Sequence, residues 1–572
     1  MATALFDPDP ESAQTLRPRR GRDSGPLLVF TSRVHASSFT RRHWLKTLTA
    51  AGCALPLAQT WARRPANVRS FHVCLSPALV ESDPELVEIV RSAGVGTVWL
   101  AGFFYGYQPF PEAQLRRAQK LLARAGLDAQ LVTVPLGHPG DSLGTKDGDF
   151  PLTPPAHWRL GQRPEGKKFA GTSLHEPATQ ENAAALRQLR PLGFHTCFLD
   201  DDFRLARGPG EIGGCFCDAH RTEFLQHSGF ATERWEELKQ DVAARRFTPL
   251  LRAWVEFTCD QLTASFRAQR RAFGGDLGPM VMYLGAEKAG LRLADYRNAP
   301  FRVGELMFDD RSFAPVKGKT DELFSVLFHR RFARPDRAYS ESTAFPADRL
   351  SGANMAAKLA ISTLADVRHT MFMSGLTPFP RDHWRVLAPA MRAQARLHEA
   401  IAGHRPRGPF KHFWGEAQRY VGDDKPFSLW LAAGVPFEVV EDLPADGWTF
   451  LSDFDARAVS GRKAGAAGKL VGRDTANVHP SGSERLAESL PALFEFKRRL
   501  KPQLQNVPHV AEDEPAVCAW YPTAQKVLVW NLGAQTKRLT VVAGERRLPL
   551  SLGPLEAGLA PTDARPRTAT SS

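Results

Sequence analysis

DPELVEIVRSAGVGTVWLAGF, Asp83 to Phe103, decides the fold. Leu86, Val87, Ile89 and Val90 recur at helical spacing behind an Asp-Pro start, and Gly94 ends the run. Gly96–Phe103 then reads apolar on both alternations, as a strand buried on both faces does. A helix feeding such a strand is one αβ unit. The same unit recurs outward from it. Candidate strands are 70–76, 96–103, 129–135, 195–201, 279–285, 304–310, 337–342 and 369–375, with helical patterns such as PEAQLRRAQKLLARAG, ENAAALRQLRPLG and NMAAKLAISTLADV between them. Eight strands with helical crossovers predict an α/β fold, a (β/α)8 TIM barrel. An open doubly wound sheet is the alternative, which the count of eight disfavours.

With 572 residues the chain exceeds one compact domain, and 43% hydrophobic residues can bury a large core. The texture changes after about Arg405. The expected division is a leader over 1–62, a catalytic barrel over 68–404, a flavodoxin-like α/β domain over 405–506, a small antiparallel β module over 507–561 and a disordered tail over 562–572. Within the second domain SERLAESLPALFEFKRRLKPQL reads as one long helix.

The leader holds TRRHWLKTLTAAGCALPLAQTWA, with twin arginines at 41 and 42, a short apolar run, and small residues at Thr60 and Ala62. It resembles a twin-arginine export signal, which implies a periplasmic or secreted protein. The apolar run is too short to span a membrane. The net charge is +13, but Lys and Arg are interleaved with acids and form no binding stripe. No nucleic-acid partner is expected; an anionic substrate is the narrower reading of the charge.

Barrel chemistry sits at the C-terminal strand ends. The expected ends carry Tyr105 and Tyr107 after strand two, His138 after strand three, Asp200, Asp201, Asp202 and Arg204 after strand four, Glu287 after five, Asp309 and Asp310 after six, and Glu341 in seven; His175 follows in a loop. Carboxylates, aromatic faces and histidines are what glycoside hydrolysis uses: one carboxyl protonates the leaving oxygen, another stabilises or attacks the sugar carbon. Crowded aspartates push one pKa up, so one can stay an acid while its neighbour stays an anion. Helix capping and an Asp–Arg ion pair would explain the same stretch without catalysis.

This layout resembles the retaining clan of barrel glycosidases, with the acid after strand four and the nucleophile after strand seven. The three-part organisation and LAAGVPFEVVEDLP are similar to the family 42 β-galactosidases. The resemblance implies catalytic roles for Asp201, Asp202 and Glu341, with Tyr105, Tyr107, His138, His175, Asp200, Arg204, Glu287, Asp309 and Asp310 binding substrate. The chain departs from the clan in lacking Asn-Glu at strand four. FLDDD also looks like the family 84 N-acetylglucosaminidases, where the substrate's own acetamide is the nucleophile and Glu341 would only bind sugar.

In GCFCDAHRTEF, Cys215, Cys217 and His220 are a partial zinc signature lacking a fourth ligand. Free thiols or a disulfide are the plainer reading, and no catalytic metal or cofactor is expected. The expected function is an exported glycoside hydrolase, retaining, with a carbohydrate substrate. Alternatives are a substrate-assisted hydrolase of 2-acetamido sugars, a non-catalytic carbohydrate-binding barrel, and a metal-dependent hydrolase of another bond, which the missing histidine cluster disfavours. A homo-oligomer is left open.

Overall fold

The computed structural model describes residues 69–562 except 137–145, 148–149, 170–173, 201–202, 209, 282–283, 285, 304–306 and 461–468. The leader and the tail beyond 562 lie outside the described residues, as do Asp201, Asp202 and His138.

Eight parallel strands close into a barrel. They are β1 Ser70–Leu75, β2 Thr97–Phe104, β3 Asp128–Val134, β4 Thr196–Leu199, β5 Asp276–Val281, β6 Phe301–Val303, β7 Ala338–Thr343 and β8 His369–Met373. Their order around the ring follows the chain, and β1 closes on β8 with Ser70 opposite His369. The open-sheet alternative is thereby excluded.

The opening stretch folds as its pattern dictates. Asp83 Oδ1 accepts from the Leu86 N–H at 3.0 Å, Pro84 fills the first turn of helix Pro84–Ala93, and Gly94 ends it with φ 109°. Leu86, Val87, Val90 and Ala93 then face the barrel wall.

Two strands are displaced from expectation. Strand five lies at 276–281 and not at 279–285. Strand six is Phe301–Val303 and not 304–310. A three-residue strand with a central arginine carries no apolar run, so GELMFDD drew the assignment instead. Asp309 and Asp310 are therefore not a strand end: Asp309 caps the short helix Asp310–Phe313, accepting from the Ser312 N–H at 2.7 Å.

The barrel is filled from below. Trp99, Phe198 and Tyr339 meet inside it, with ring centroids 4.8 Å apart for Trp99–Phe198 and 4.9 Å for Phe198–Tyr339, and Met371 packs with them. Burying each such side chain contributes about 1.5–3 kcal/mol. This plug packs directly beneath Arg302.

Beyond the barrel lies a five-stranded parallel sheet of β9 Phe410–Phe413, β10 Phe437–Val440, β11 Trp448–Leu451, β12 Lys469–Arg473 and β13 Glu484–Leu486, in the order β10-β9-β11-β12-β13. The expected long helix is shorter, Leu490–Leu500, because Pro491 must sit in a first turn. The residues ahead of it pair as the last strand of the sheet. Two three-stranded antiparallel sheets complete the chain. One holds β14 His509–Val510, β17 Lys537–Ala543 and β18 Arg546–Leu552; the other holds β15 Ala516–Tyr521, β16 Lys526–Asn531 and β19 Ala557–Pro561.

Candidate active site at the barrel mouth

Arg302, the middle residue of β6, is fully buried inside the barrel. Its guanidinium pairs with Asp200 Oδ1, and its Nε lies 3.1 Å from Glu341 Oε2. Asp200 directly follows β4, its N–H donating to the Thr133 carbonyl at 2.7 Å. Glu341 lies within β7. Strands four, six and seven thus bring two carboxylates onto one cation. The Arg302 guanidinium also stands 5.3 Å above the centroid of the Phe198 ring, on the plug, and another of its nitrogens is 2.9 Å from Met371 Sδ.

The acids outnumber the cation. Two carboxylates share one guanidinium among groups that are 5% exposed or less. Removing ions from water costs several kcal/mol each even when they are paired. A core built only for stability would gain from apolar residues there. Burial pushes the Glu341 carboxyl above its usual range, against the pull of Arg302 and with the push of Asp200.

The two oxygens of Glu341 differ. Thr343 Oγ1–H donates to Oε1. Oε2 faces Arg302 off-axis and accepts no hydrogen bond among the described residues. One oxygen is anchored and the other keeps its lone pairs.

Around this centre, β2 ends in a tight turn. Phe104 and Tyr107 exchange backbone hydrogen bonds of 2.9 and 2.8 Å around Tyr105 and Gly106, which have φ of 53° and 88°. Positive φ at both positions is the I′ pattern. Gly106 suits it, and a Cβ there would stand 2.5 Å from Pro155. Tyr105 tolerates it at a cost, buried with its ring 5.9 Å from that of Phe104. The Tyr107 hydroxyl donates to the Thr153 carbonyl at 3.2 Å.

Other expected site residues are held by contacts within the chain. Arg204 is buried, donating to the carbonyls of Ala206 at 2.9 Å and Arg207 at 3.2 Å, which bends its own loop. Glu287 is a buried partner of Arg419, in the unit that follows the barrel. Asp310 is a fastener: its Oδ1 accepts from Ser351 N at 2.8 Å, Ser351 Oγ at 3.0 Å and Asn354 Nδ2 at 2.7 Å, tying the loop after β7 to the residues after β6.

His175 joins a different cluster. Its Nε2 is 3.1 Å from Cys217 Sγ, and its ring lies 4.1 Å from that of His220. One donor atom from each of His175, Cys215, Cys217 and His220 lies within 4.8 Å of the others. A hydrogen bond from Cys215, with others from His175 and His220, pulls the Cys217 thiol down toward thiolate. Two sulfurs and two imidazoles are a donor set that holds zinc tetrahedrally. His175 supplies the fourth ligand that sequence spacing lacked.

The solved structure of a cold-adapted β-galactosidase from Rahnella sp. R3 is similar over 86% of this chain and 98% of that chain, at TM-score 0.55 and 11% identity. An α-L-fucosidase isoenzyme 2 from Paenibacillus thiaminolyticus matches at TM-score 0.43 and 11% identity over 73% of this chain and 65% of that chain. The chain has the fold of the (β/α)8 glycoside hydrolases. No protein-family model matches the sequence, and no curated protein matches it. What the neighbours share with this chain is backbone path, so residue roles rest on the geometry above.

Arg302 and Thr343 escaped the sequence reading. A lone Arg between Phe301 and Val303 carries no motif, yet a charge inside a barrel strand must find a partner there. That was the available signal.

Proposed function

We propose that the chain is a retaining glycoside hydrolase that works at the barrel mouth. Glu341 Oε2 attacks the anomeric carbon, and a carboxyl of the Asp200–Asp202 run protonates the departing oxygen. The same aspartate then activates the water that releases the sugar. The observation that carries this reading is the asymmetry of Glu341, anchored through Oε1 and unbonded at Oε2, beside a guanidinium that offsets its charge. The pairing of Arg302 with Asp200 as well leaves Asp201 or Asp202 as the proton donor. The twin-arginine-type leader directs export, and the doubly wound strand order of the five-stranded sheet supports a flavodoxin-like second domain.

A panel of aryl glycosides tests the reading. The wild type releases the aryl group from at least one sugar, Glu341→Gln loses at least a thousandfold in kcat, and a 2-deoxy-2-fluoro glycoside of that sugar leaves a covalent adduct on Glu341 seen by mass spectrometry. The depth of Glu341, 2% exposed, favours a second reading, in which a 2-acetamido group attacks and Glu341 only orients. In that case Glu341→Gln still turns over a 2-acetamido glycoside. A barrel that cleaves nothing in the panel is a binding protein.

A further inference from the structure

A second concave site lies far along the chain from the mouth residues, between helix Leu490–Leu500 and the sheet of β14, β17 and β18. It is a cleft of about 440 Å³. Its lining includes Lys497, Arg498, Lys501 and Arg547, with Asp513 as the one carboxylate. We propose that this cleft binds the acidic group of an anionic sugar, a uronate or a sulfated residue.

Three observations point there. The first is charge. Asp513 is already taken, paired with Arg498 and 3.9 Å from Lys497 Nζ. Lys501 and Arg547 make no ion pair or side-chain hydrogen bond among the described residues, although they converge on one hollow from separate elements. Nearby cations of the same region are matched with acids, Arg499 with Glu484 and Lys537 with Glu514 at 3.0 Å. Like charges gathered in a concavity repel unless an anion enters.

The second is rigidity. Lys497 is 4% exposed, and its ammonium donates to the Glu512 carbonyl at 2.7 Å. The wall is therefore fixed before any ligand arrives. The third is size and lining. Small-molecule sites occupy about 300–1,000 Å³, and a lone oxyanion would leave most of this cleft unfilled. Leu504, Ala511 and Val542 add an apolar part to the lining. That surface suits the C–H face of a sugar ring, while Arg547 and Lys501 meet its carboxylate or sulfate.

The experiment uses the full chain and calorimetric titration with three probes: galacturonate, glucosamine 6-sulfate and inorganic phosphate. Binding is repeated with the Lys501→Glu/Arg547→Glu variant, and circular dichroism checks that the variant is folded. At least one acidic sugar binds tenfold or more tightly than phosphate, and the variant loses at least tenfold. Phosphate binding as tightly as both sugars overturns the sugar assignment. Equal affinity in variant and wild type, or no binding of any probe, overturns the site. Because the readout is binding, a failure here is distinct from a failure of the glycosidase reading.

Discussion

Arg302 and Glu341, on neighbouring strands inside the barrel, form an ion pair at 3.1 Å while the same guanidinium holds Asp200. This shared cation is the element on which the mouth depends, and its removal has a specific signature. Arg302→Met strands two buried carboxylates and lowers stability by about 3–5 kcal/mol in denaturant unfolding. Adding Asp200→Asn and Glu341→Gln recovers most of that loss. A single variant as stable as wild type contradicts the pairing.

Glu341→Gln behaves differently. The folded-state pKa of Glu341 is raised above 4.5 by burial. Its protonated form therefore favours folding below about pH 4.5, and that contribution is lost as pH rises through the folded pKa. The stability of wild type relative to Glu341→Gln should thus fall as pH rises above about 4.5. Unfolding curves at pH 4 and pH 7 check the sign.

The His175–Cys215–Cys217–His220 cluster predicts one zinc per chain in protein purified without chelator, measured by plasma mass spectrometry. Cys217→Ser and His175→Ala each lose the metal. Full metal content in both variants rules out this ligand set.

Asp310→Ala leaves the Ser351 N–H without its acceptor. A loss of about 1–3 kcal/mol follows. Because Asp310 Oδ1 is engaged by Ser351 and Asn354, any effect on turnover at saturating substrate should be small beside that of Glu341→Gln. A thousandfold loss of kcat at unchanged stability would return Asp310 to the catalytic set.

The barrel was legible because most of its strands are apolar runs that follow helices, as in Asp83–Phe103, where Gly94 ends the helix before the strand. Strand six was not, since Phe301–Val303 is short and its central residue is charged. That misplacement put Asp309 and Asp310 at a strand end, whereas Asp309 caps a short helix and Asp310 accepts from Ser351. Asp200 and Glu341 were legible as acids at strand ends. Arg302 was not, because a local pattern does not record which strands cross the same interior layer. The place of His175 beside Cys215, Cys217 and His220 was not legible, since a fourth donor distant in sequence leaves no spacing signature.

Trp99, Phe198, Tyr339 and Met371 seal the tube beneath Arg302. On the proposed function, a sugar then approaches the buried acids from the strand-end side. Under that reading a cleaved fragment leaves by the side it entered, and release precedes the next binding.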